Sequence, residues 1–373
     1  MTPIPVTLIT GFLGSGKTSL LNALLRDPAF AQTAILINEF GDVPIDHDLV
    51  ATFSDQYLTT TTGCLCCTAS SEIKGSLFDL WMRRTRREIG PFRRVIVETT
   101  GLADPAPVIN ALLAPGFGFV DRTVDGQFAL SRVVTLFDII NGDATLDAHF
   151  EAVKQVALAD ALVMTKADLA EDPATKRDIS ESRQRLAAIN PAARILDRHT
   201  DWAEIRALLL KRETYDLRTK GEDANAWLRA EASDAASEHS HHHDDHGHHH
   251  HPADHNRRGD DIRSHVLILD EPIAPVVLYF FLDILKMAAG ADLLRLKGLV
   301  ALTDDPERPA VVHGVQHVIH LIDRLEQWPS DDRRTRLVFI GRNLDVEAMR
   351  SLLTAKRPTS RASDIRLAKE RGI

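Results

Sequence analysis

The segment Gly11–Thr18, with the sequence GFLGSGKT, limits what this chain can fold into more than any other part of it. It has the spacing G-x-x-x-x-G-K-[ST], it follows the apolar run Val6–Thr10, and it opens the helical pattern Thr18–Arg26. Glycines at these positions let backbone N–H groups close around phosphate oxygens, and the N-terminus of the helix adds a favourable dipole. The sequence therefore predicts a strand, a phosphate-binding loop and a helix in direct succession.

Two groups of residues are predicted to handle the phosphates. Lys17 is expected to span the β- and γ-phosphates, and the hydroxyl of Thr18 is expected to ligate Mg²⁺. Glu98 and Gly101 follow the strand Val95–Val97, and ligands of open α/β sheets bind beyond the carboxyl ends of the strands. Glu98 can hold the water shell of Mg²⁺, while Gly101 lets a backbone N–H reach the γ-phosphate. The loop residues assigned to nucleotide binding are Gly11, Gly14, Ser15, Gly16, Lys17, Thr18 and Ser19.

The base is predicted to be guanine rather than adenine. Lys166 and Asp168 follow the strand Ala161–Thr165. A carboxylate there can accept two hydrogen bonds from N1–H and the N2 amino group of guanine, which adenine cannot supply, and the Lys166 stem would cover the face of the base. Thr165 stands where GTPases usually carry an asparagine that braces this loop, so we expect this position to lower nucleotide affinity.

The three cysteines of the chain, Cys64, Cys66 and Cys67, fall within four positions, after a glycine and a threonine run that predict a tight loop. Thiolates at this spacing can reach one ion and favour Zn²⁺ or Cu(I), with Co²⁺ and Ni²⁺ tolerated. Three thiolates leave a tetrahedral Zn²⁺ one ligand short, so a carboxylate, a histidine, water or a donor protein's side chain would complete the set. An incomplete set suits transfer of the ion more than permanent structure. The alternative is that the cysteines are buried as small apolar residues.

A further acidic segment follows the strand Ala34–Asn38. Its carboxylates, Glu39 and Asp42, are predicted either to serve the water network around Mg²⁺ or to supply the missing ligand of the cysteine site. A plain exposed acidic turn is the alternative. The residues assigned to catalysis are Lys17, Glu39, Glu98 and Gly101.

Apolar strands alternate with amphipathic helices through the first half of the chain, so the predicted fold class is α/β with a doubly wound, mostly parallel sheet. The predicted strands are Val6–Thr10, Ala34–Asn38, Arg94–Glu98, Arg132–Phe137 and Ala161–Thr165, and the predicted helices are Thr18–Arg26, Ser70–Arg86, Ala106–Leu113 and Asp147–Ala157. A small α+β domain is predicted to follow, with strands Ser264–Leu269, Leu296–Leu302, Ala310–Val318 and Leu337–Ile340 and helices Val276–Ala288 and Val346–Leu353. The expected domains are 1–219 and 262–355, separated by a linker over 220–261 and followed by a loose basic tail over 356–373.

The linker is rich in histidine: ten of the chain's 17 histidines lie between positions 239 and 255. Such a segment cannot bury a core, so it is predicted to be disordered. Its imidazoles could capture or buffer divalent ions and pass them to the cysteine site, and a tolerated low-complexity linker is the alternative. The histidines assigned to metal binding are His241, His242, His243, His246, His248, His249, His250 and His251. In the small domain, His313, His317 and His320 are expected at the surface.

Bulk properties narrow the functional class. The formal net charge of −9 argues against a nucleic-acid partner, and an odd number of clustered cysteines favours a reducing compartment. Met1–Thr10 lacks the positive region of a signal peptide, and no apolar run reaches the length of a membrane span. A cytoplasmic protein without membrane or nucleic-acid partners is expected.

Taken together, these motifs resemble the CobW family of metallochaperone GTPases, P-loop proteins related to the nickel-insertion GTPases for hydrogenase and urease. The segments that carry the resemblance are Gly11–Thr18, Asn38–Gly41, Gly63–Cys67, Glu98–Gly101, Thr165–Asp168, Arg295–Gly298 and Leu337–Gly341. The resemblance implies slow GTP hydrolysis coupled to the handling of Zn²⁺ or Co²⁺, with a client metalloprotein as acceptor. A nucleotide-dependent homodimer is left open.

The sequence thus predicts a GTP-hydrolysing metallochaperone that binds Zn²⁺ at Cys64, Cys66 and Cys67 in the GTP state and delivers it to a client. One alternative is a histidine-rich metal buffer with a vestigial nucleotide site. A second is a nickel or cobalt insertion GTPase that serves one metalloenzyme or cobalamin synthesis. A third, an ATP-dependent kinase, leaves the cysteines unexplained.

Overall fold

The computed structural model describes residues 3–38, 57–60, 65–169, 173–211, 262–288 and 292–354. The predicted linker over 220–261 and the predicted tail over 356–373 lie outside the described residues.

The described part of the first half forms one parallel sheet of seven strands. These are β1 (Ile4–Gly11), β2 (Thr33–Asn38), β3 (Tyr57–Thr60), β4 (Arg94–Thr99), β5 (Phe128–Asp138), β6 (Ala161–Thr165) and β7 (Arg194–Asp197). Their order across the sheet is β3-β2-β4-β1-β5-β6-β7, and every neighbouring pair is parallel. All carboxyl ends therefore meet at one edge, the edge at which the phosphate loop lies.

Helices cover both faces of this sheet. They are α1 (Lys17–Leu25), α2 (Leu65–Thr85), α3 (Ala106–Leu113), α4 (Phe119–Gln127), α5 (Gly142–Ala148), α6 (Phe150–Leu158), α7 (Pro173–Ile189) and α8 (Trp202–Leu210). Helices α2, α3 and α4 pack on one face, and α5, α6 and α7 continue that layer beside β5 and β6. Helices α1 and α8 pack on the opposite face. The predicted doubly wound α/β class is confirmed.

One predicted helix is wrong. Asp147–Ala157 is not continuous, because α5 ends and α6 begins around His149, whose backbone is extended (φ −128°, ψ 112°). The His149 ring stacks on Phe12 of the phosphate loop, with 4.6 Å between ring centroids. That contact joins residues far apart in sequence, so the apolar periodicity of the segment cannot reveal it.

The second half forms an antiparallel sheet with helices on one face. Its described strands are β8 (Ile262–Leu269), β9 (Leu293–Leu302), β10 (Asp305–Val315), β11 (Val318–Arg324) and β12 (Thr335–Arg342), in the order β11-β10-β9-β12-β8. Helices α9 (Pro275–Ala288) and α10 (Val346–Thr354) pack on this sheet through a shared apolar cluster. The predicted small α+β domain is confirmed.

Two predictions in this domain are wrong. The predicted strand Ala310–Val318 is a hairpin whose strands β10 and β11 are joined at Gln316, which has a left-handed backbone (φ 53°). His313, expected at the surface, is only 1 % exposed because it lies in β10 between Lys297 of β9 and a residue of β11. His317 in the turn is exposed as predicted.

The antiparallel sheet packs against α6 and its neighbours. Arg295 of β9 donates to the carbonyl oxygens of Leu158 and Ala159, at the carboxyl end of α6, and its guanidinium lies 2.5 Å from Asp160 Oδ1. Three residues of the second half, Ile262, Leu294 and Ile340, join the apolar cluster of α5, α6 and α7. In the part of the chain that the structure describes, no helix combines the length and apolarity needed to cross a bilayer.

Candidate functional site

The phosphate loop has the backbone that its glycines were expected to permit. Gly11, Gly14 and Gly16 have φ values of 140°, 73° and 89°, which side chains on L-residues rarely allow. A Cβ built on Gly11 would lie 2.5 Å from the carbonyl oxygen of Leu136. Gly16 is the N-cap of α1. Because glycine has no side chain that could cap the helix, it leaves the N–H groups of the first turn available to a ligand. These groups and the helix dipole suit an anion.

Two further side chains of the loop fit a phosphate ligand. Lys17 is 8 % exposed, and its Nζ donates to the carbonyl oxygens of Gly11 (2.7 Å) and Phe12 (3.1 Å), which holds the ammonium inside the curve of the loop. Ser15 is 2 % exposed, and its Oγ has no hydrogen-bond partner among the described residues. Buried hydroxyls are normally paired, so an orphaned one in a loop of this shape is an expected feature of a ligand site.

A cavity of about 300 Å³ joins the phosphate loop to the carboxyl end of β4. Its lining residues are Leu13, Gly14, Gly16, Lys17, Thr18, Ser19, Ile37, Glu98, Thr99, Thr100 and Gly101. The volume is that of a small-molecule site. The structure thus brings both predicted phosphate elements to one cavity, together with the end of β2. Glu98 is 8 % exposed, and a hydrogen bond of 2.9 Å from Thr99 Oγ1 to Thr10 Oγ1 ties β4 to β1 just below it.

Gly101 lies directly against the phosphate loop. A Cβ built on it would be 2.6 Å from the backbone nitrogen of Leu13 and 2.8 Å from its Cα. Only glycine permits this approach, because both of these atoms belong to the backbone and cannot rotate away. The loop after β4 therefore cannot come closer to the phosphate loop, and a side chain at position 101 would force the two apart.

The predicted base-reading segment is braced on the phosphate loop by Thr165. Its hydroxyl Oγ1 lies 2.9 Å from the carbonyl oxygen of Ser15 and 3.2 Å from that of Phe137. The bracing that an asparagine was expected to supply is thus supplied by a hydroxyl.

Lys166, the next residue, has a left-handed backbone (φ 66°) and pairs through Nζ with Asp138 Oδ2 at 2.7 Å. Burial opposes the charge on Asp138, but hydrogen bonds from Lys166, from Asn141 and from the Ile140 N–H outweigh it and hold the pKa of this carboxyl below its ordinary value. The carboxylate therefore stays ionised and fixes Lys166. A non-glycine residue with positive φ is uncommon and is kept where the surroundings determine it.

Asp168 lies at the open end of this edge. Its Oδ1 is 2.8 Å from Nε2 of His199, in the loop after β7, and both side chains are about half exposed. The neighbouring Arg198 stacks over Trp202, 4.5 Å from the ring centroid. Burial lowers the pKa of Arg198, and the negative charge of Asp168 opposes that shift.

Sequence reasoning missed Asp138 and His199. Asp138 ends the apolar strand β5 at the ligand-binding edge, and a carboxylate at such a strand end is a usable signal. His199 belongs to a short polar loop whose spacing matches no motif, and only the fold brings it to Asp168.

Much of the predicted metal site lies outside the described residues. This holds for Glu39, Asp42, Cys64 and the histidines 241–251. The backbone of Cys66 and Cys67 belongs to the first turn of α2, which begins five residues earlier than the predicted Ser70, so these two residues are helical and not part of a preceding loop. Their side chains lie outside the described part. Among the residues that are described, no group of three or more His, Cys, Asp or Glu side chains could hold a metal ion.

Strand register nevertheless relates the metal segment to the phosphate cavity. Asn38, the last residue of β2, is paired with Thr60 of β3 on one side and with Thr99 of β4 on the other. These residues end their strands, and adjacent strands lie about 4.8 Å apart. The three strands that precede Glu39, the cysteines and Gly101 therefore end side by side.

Comparison with known proteins gives two matching domains. Residues 5–197 match the CobW/HypB/UreG nucleotide-binding domain, and residues 262–357 match the cobalamin synthesis protein cobW C-terminal domain. The first range contains the phosphate loop, the loop after β4 and the base-reading edge.

Similar proteins align along nearly the whole chain. The zinc chaperone YjiA of Escherichia coli is 29 % identical over 96 % of this chain and 100 % of its own length. The zinc chaperone CobW of a Sinorhizobium species is 30 % identical over 94 % of this chain and 97 % of its own length. A crystal structure of Zn(II)-bound YjiA GTPase from E. coli superposes with a TM-score of 0.65 and 25 % identity, covering 94 % of this chain and 98 % of that one.

Proposed function

Since this chain belongs to the CobW/HypB/UreG family, we propose that it is a GTP-hydrolysing metallochaperone that carries Zn²⁺ to a client protein. One observation carries the proposal. A single cavity is lined by Lys17, Glu98 and Gly101, and the strand that leads to the cysteines ends in register beside it. The names of the full-length relatives, both zinc chaperones, support Zn²⁺ as the ion.

The phosphates would be held by the chain's own charges and N–H groups. Lys17 and the first turn of α1 would supply positive potential, and Gly101, which lines the same cavity, would offer its backbone N–H to a γ-phosphate. The Thr18 hydroxyl and Glu98 would hold Mg²⁺, whose charge neutralises developing negative charge on the phosphates. With Gly101 packed on Leu13, the presence or absence of the γ-phosphate is communicated to the loop after β4.

Guanine recognition is assigned to the edge beyond β6. Asp168 would accept hydrogen bonds from the base, and the Lys166 stem, fixed by Asp138, would cover its face. The contact between His199 and Asp168 orients the carboxylate at this edge.

Zn²⁺ is the cargo, and its proposed ligands are Cys64, Cys66 and Cys67, completed by Glu39, Asp42 or a group of the client. The first turn of a helix favours negative charge, which suits thiolate ligands at the start of α2. GTP would arrange the segments after β2 and β4 around the γ-phosphate, and the segment after β3 would take up its metal-binding shape beside them. Hydrolysis then relaxes these segments and releases the ion, as in other γ-phosphate switches.

The test is an anaerobic Zn²⁺ titration against a chelating dye, with GDP and with a non-hydrolysable GTP analogue. The wild type is expected to bind Zn²⁺ about tenfold more tightly with the analogue, within the usual range of two-site coupling. Cys66→Ser is expected to remove that difference. Equal Zn²⁺ affinity in the two nucleotide states would rule out the proposed coupling.

The histidine-rich segment supports a second candidate, a metal buffer in which the nucleotide has no role. Deleting residues 239–255 separates the two functions. A tight site that survives the deletion and still responds to nucleotide supports the chaperone, whereas loss of most zinc binding supports the buffer. Repeating the titration with Co²⁺ and Ni²⁺ tests the choice of ion.

A further inference from the structure

The loop between β4 and α3, residues 100–105, connects two distant parts of the molecule. At one end Gly101 lines the phosphate cavity and packs on the backbone of Leu13. At the other end Asp104 accepts a hydrogen bond of 2.9 Å from the N–H of Ala106, which fixes the start of α3. Gly101 and Asp104 are close in sequence within one short loop, so a displacement of Gly101 is expected to move Asp104 as well.

Helix α6 holds this loop from one side. The side-chain amide of Gln155, which is 1 % exposed, donates to the carbonyl oxygens of Gly101 (3.1 Å) and Ala103 (3.0 Å). A side-chain amide has two N–H donors, and both are used within the loop. The adjacent Lys154 pairs with Asp104 Oδ2 at 2.8 Å.

The antiparallel sheet of the second half reaches the same carboxylate. Gln316, in the turn between β10 and β11, donates from Nε2 to Asp104 Oδ2 at 2.9 Å. Its left-handed backbone is fixed by a hydrogen bond of 3.0 Å from its own N–H to the carbonyl oxygen of Leu294. A non-glycine residue is kept in this conformation where the surrounding structure determines it.

We propose that Asp104 is a positioning residue that couples the phosphate site to the C-terminal domain, with Lys154 and Gln316 sharing its carboxylate. The inference rests on the proposed function, since it requires GTP in the cavity. Movement of Gly101 with the γ-phosphate shifts Asp104 relative to Gln316, so the two nucleotide states differ in how well this bond is made. By reciprocity, a bond that favours one state raises the affinity for the nucleotide of that state.

The hydrogen bond between Gln316 and Asp104 can be removed while the other contacts of the loop are kept. Gln316→Asn keeps a residue type that tolerates left-handed backbone but shortens the side chain by one methylene, so that its amide falls short of Asp104. The pairs that Asp104 makes with Lys154 and with the N–H of Ala106 remain. His317→Ala, in the same turn and exposed, is the matched control.

The experiment measures binding of GDP and of a GTP analogue to the full chain, together with thermal unfolding. For Gln316→Asn we expect the ratio of the two affinities to change by about fivefold or more, while His317→Ala keeps the wild-type ratio. Asp104→Asn, which retains an acceptor for Ala106, should shift the ratio in the same direction. The double variant should add nothing to the larger single effect.

The proposal is overturned if Gln316→Asn leaves the ratio within twofold of wild type. It is equally overturned if both affinities fall by one common factor along with the unfolding temperature, since that is the signature of general destabilisation. If the wild type binds neither nucleotide, the proposed function itself fails and the coupling fails with it. The three outcomes are distinguished in one data set.

Discussion

At position 165 a threonine hydroxyl performs the bracing that an asparagine was expected to perform. The hydroxyl is within hydrogen-bond distance of two carbonyl oxygens, one in the phosphate loop and one at the end of β5. A shorter side chain suffices because residue 165, at the end of β6, lies within hydrogen-bond distance of Ser15. The departure from the usual GTPase pattern is therefore no reason to expect a loose loop.

Thr165→Val and Thr165→Ser test this bracing. Valine keeps the shape but leaves the buried carbonyl oxygen of Ser15 without this donor, a loss of about 1 kcal/mol that should weaken GDP binding several-fold. Serine retains the hydroxyl and should bind GDP within about twofold of wild type. Isothermal titration at fixed Mg²⁺ measures both, and equal affinities for the two variants would contradict the role.

At this scale the sequence predicts the residues whose motif has a fixed spacing and misses those that only the fold brings together. Lys17, Glu98 and Gly101 were predicted, and the structure places them around one cavity. Asp138 was not predicted because it ends β5 outside any motif of fixed spacing, and His199 was not predicted because only the fold brings its loop to Asp168.

Among the elements, the loop after β4 and helix α2 give a matched pair of glycines. Gly101 has no room for a methyl group, whereas a Cβ built on Gly75, in the middle of α2, meets no described atom within 4 Å. The same substitution should therefore have opposite consequences at the two positions.

Gly101→Ala is expected to push this loop away from Leu13 and to lower the affinity for a GTP analogue by about tenfold, as when one hydrogen bond is lost. GDP binding, which does not need the γ-phosphate contact, should change less. Gly75→Ala should bind both nucleotides as wild type does and gain about 0.5–1 kcal/mol of stability. Fluorescent-nucleotide titration and thermal unfolding measure these effects. Unchanged analogue affinity in Gly101→Ala would count against its contact with the phosphate.

The elements themselves were predictable where apolar runs determine them and not where tertiary contacts break them. The strand over Ala161–Thr165 and the helix over Ala106–Leu113 have the predicted bounds. The helix over Asp147–Ala157 is interrupted so that His149 stacks on Phe12, and the strand over Ala310–Val318 turns at Gln316. Both interruptions allow contacts with distant parts of the chain. The local periodicity of the sequence carries no information about such contacts.

For the whole molecule, the order of an α/β domain and a small α+β domain was predictable, but their interface was not. Arg295 and Lys297 of β9 are charged, yet they are 5 % and 7 % exposed. Arg295 is buried against the carboxyl end of α6, where backbone carbonyl oxygens and Asp160 accept hydrogen bonds from its guanidinium. A cation suits that end of a helix dipole.

Arg295→Met is expected to weaken the interface by about 3 kcal/mol, because it removes a buried, paired charge and leaves Asp160 with less compensation. Calorimetry should then show the C-terminal domain unfolding at a lower temperature than the first domain. Arg308→Met is the control, since its half-exposed side chain forms a surface pair with Asp305, and its effect should stay within about 0.5 kcal/mol. Identical unfolding curves for the two variants would show that Arg295 does not hold the domains together.

The position of β3 has a consequence for how the cysteine segment can move. Among the described strands β3 is a terminal one, four residues long, and it pairs only with β2. Detaching it breaks one short ladder and leaves the apolar centre of the sheet intact, so local opening there costs far less free energy than global unfolding. Amide hydrogens of β3 are expected to exchange faster than those of the central strands. The cysteines thus follow a short terminal strand that can open locally, which suits the release of an ion proposed above.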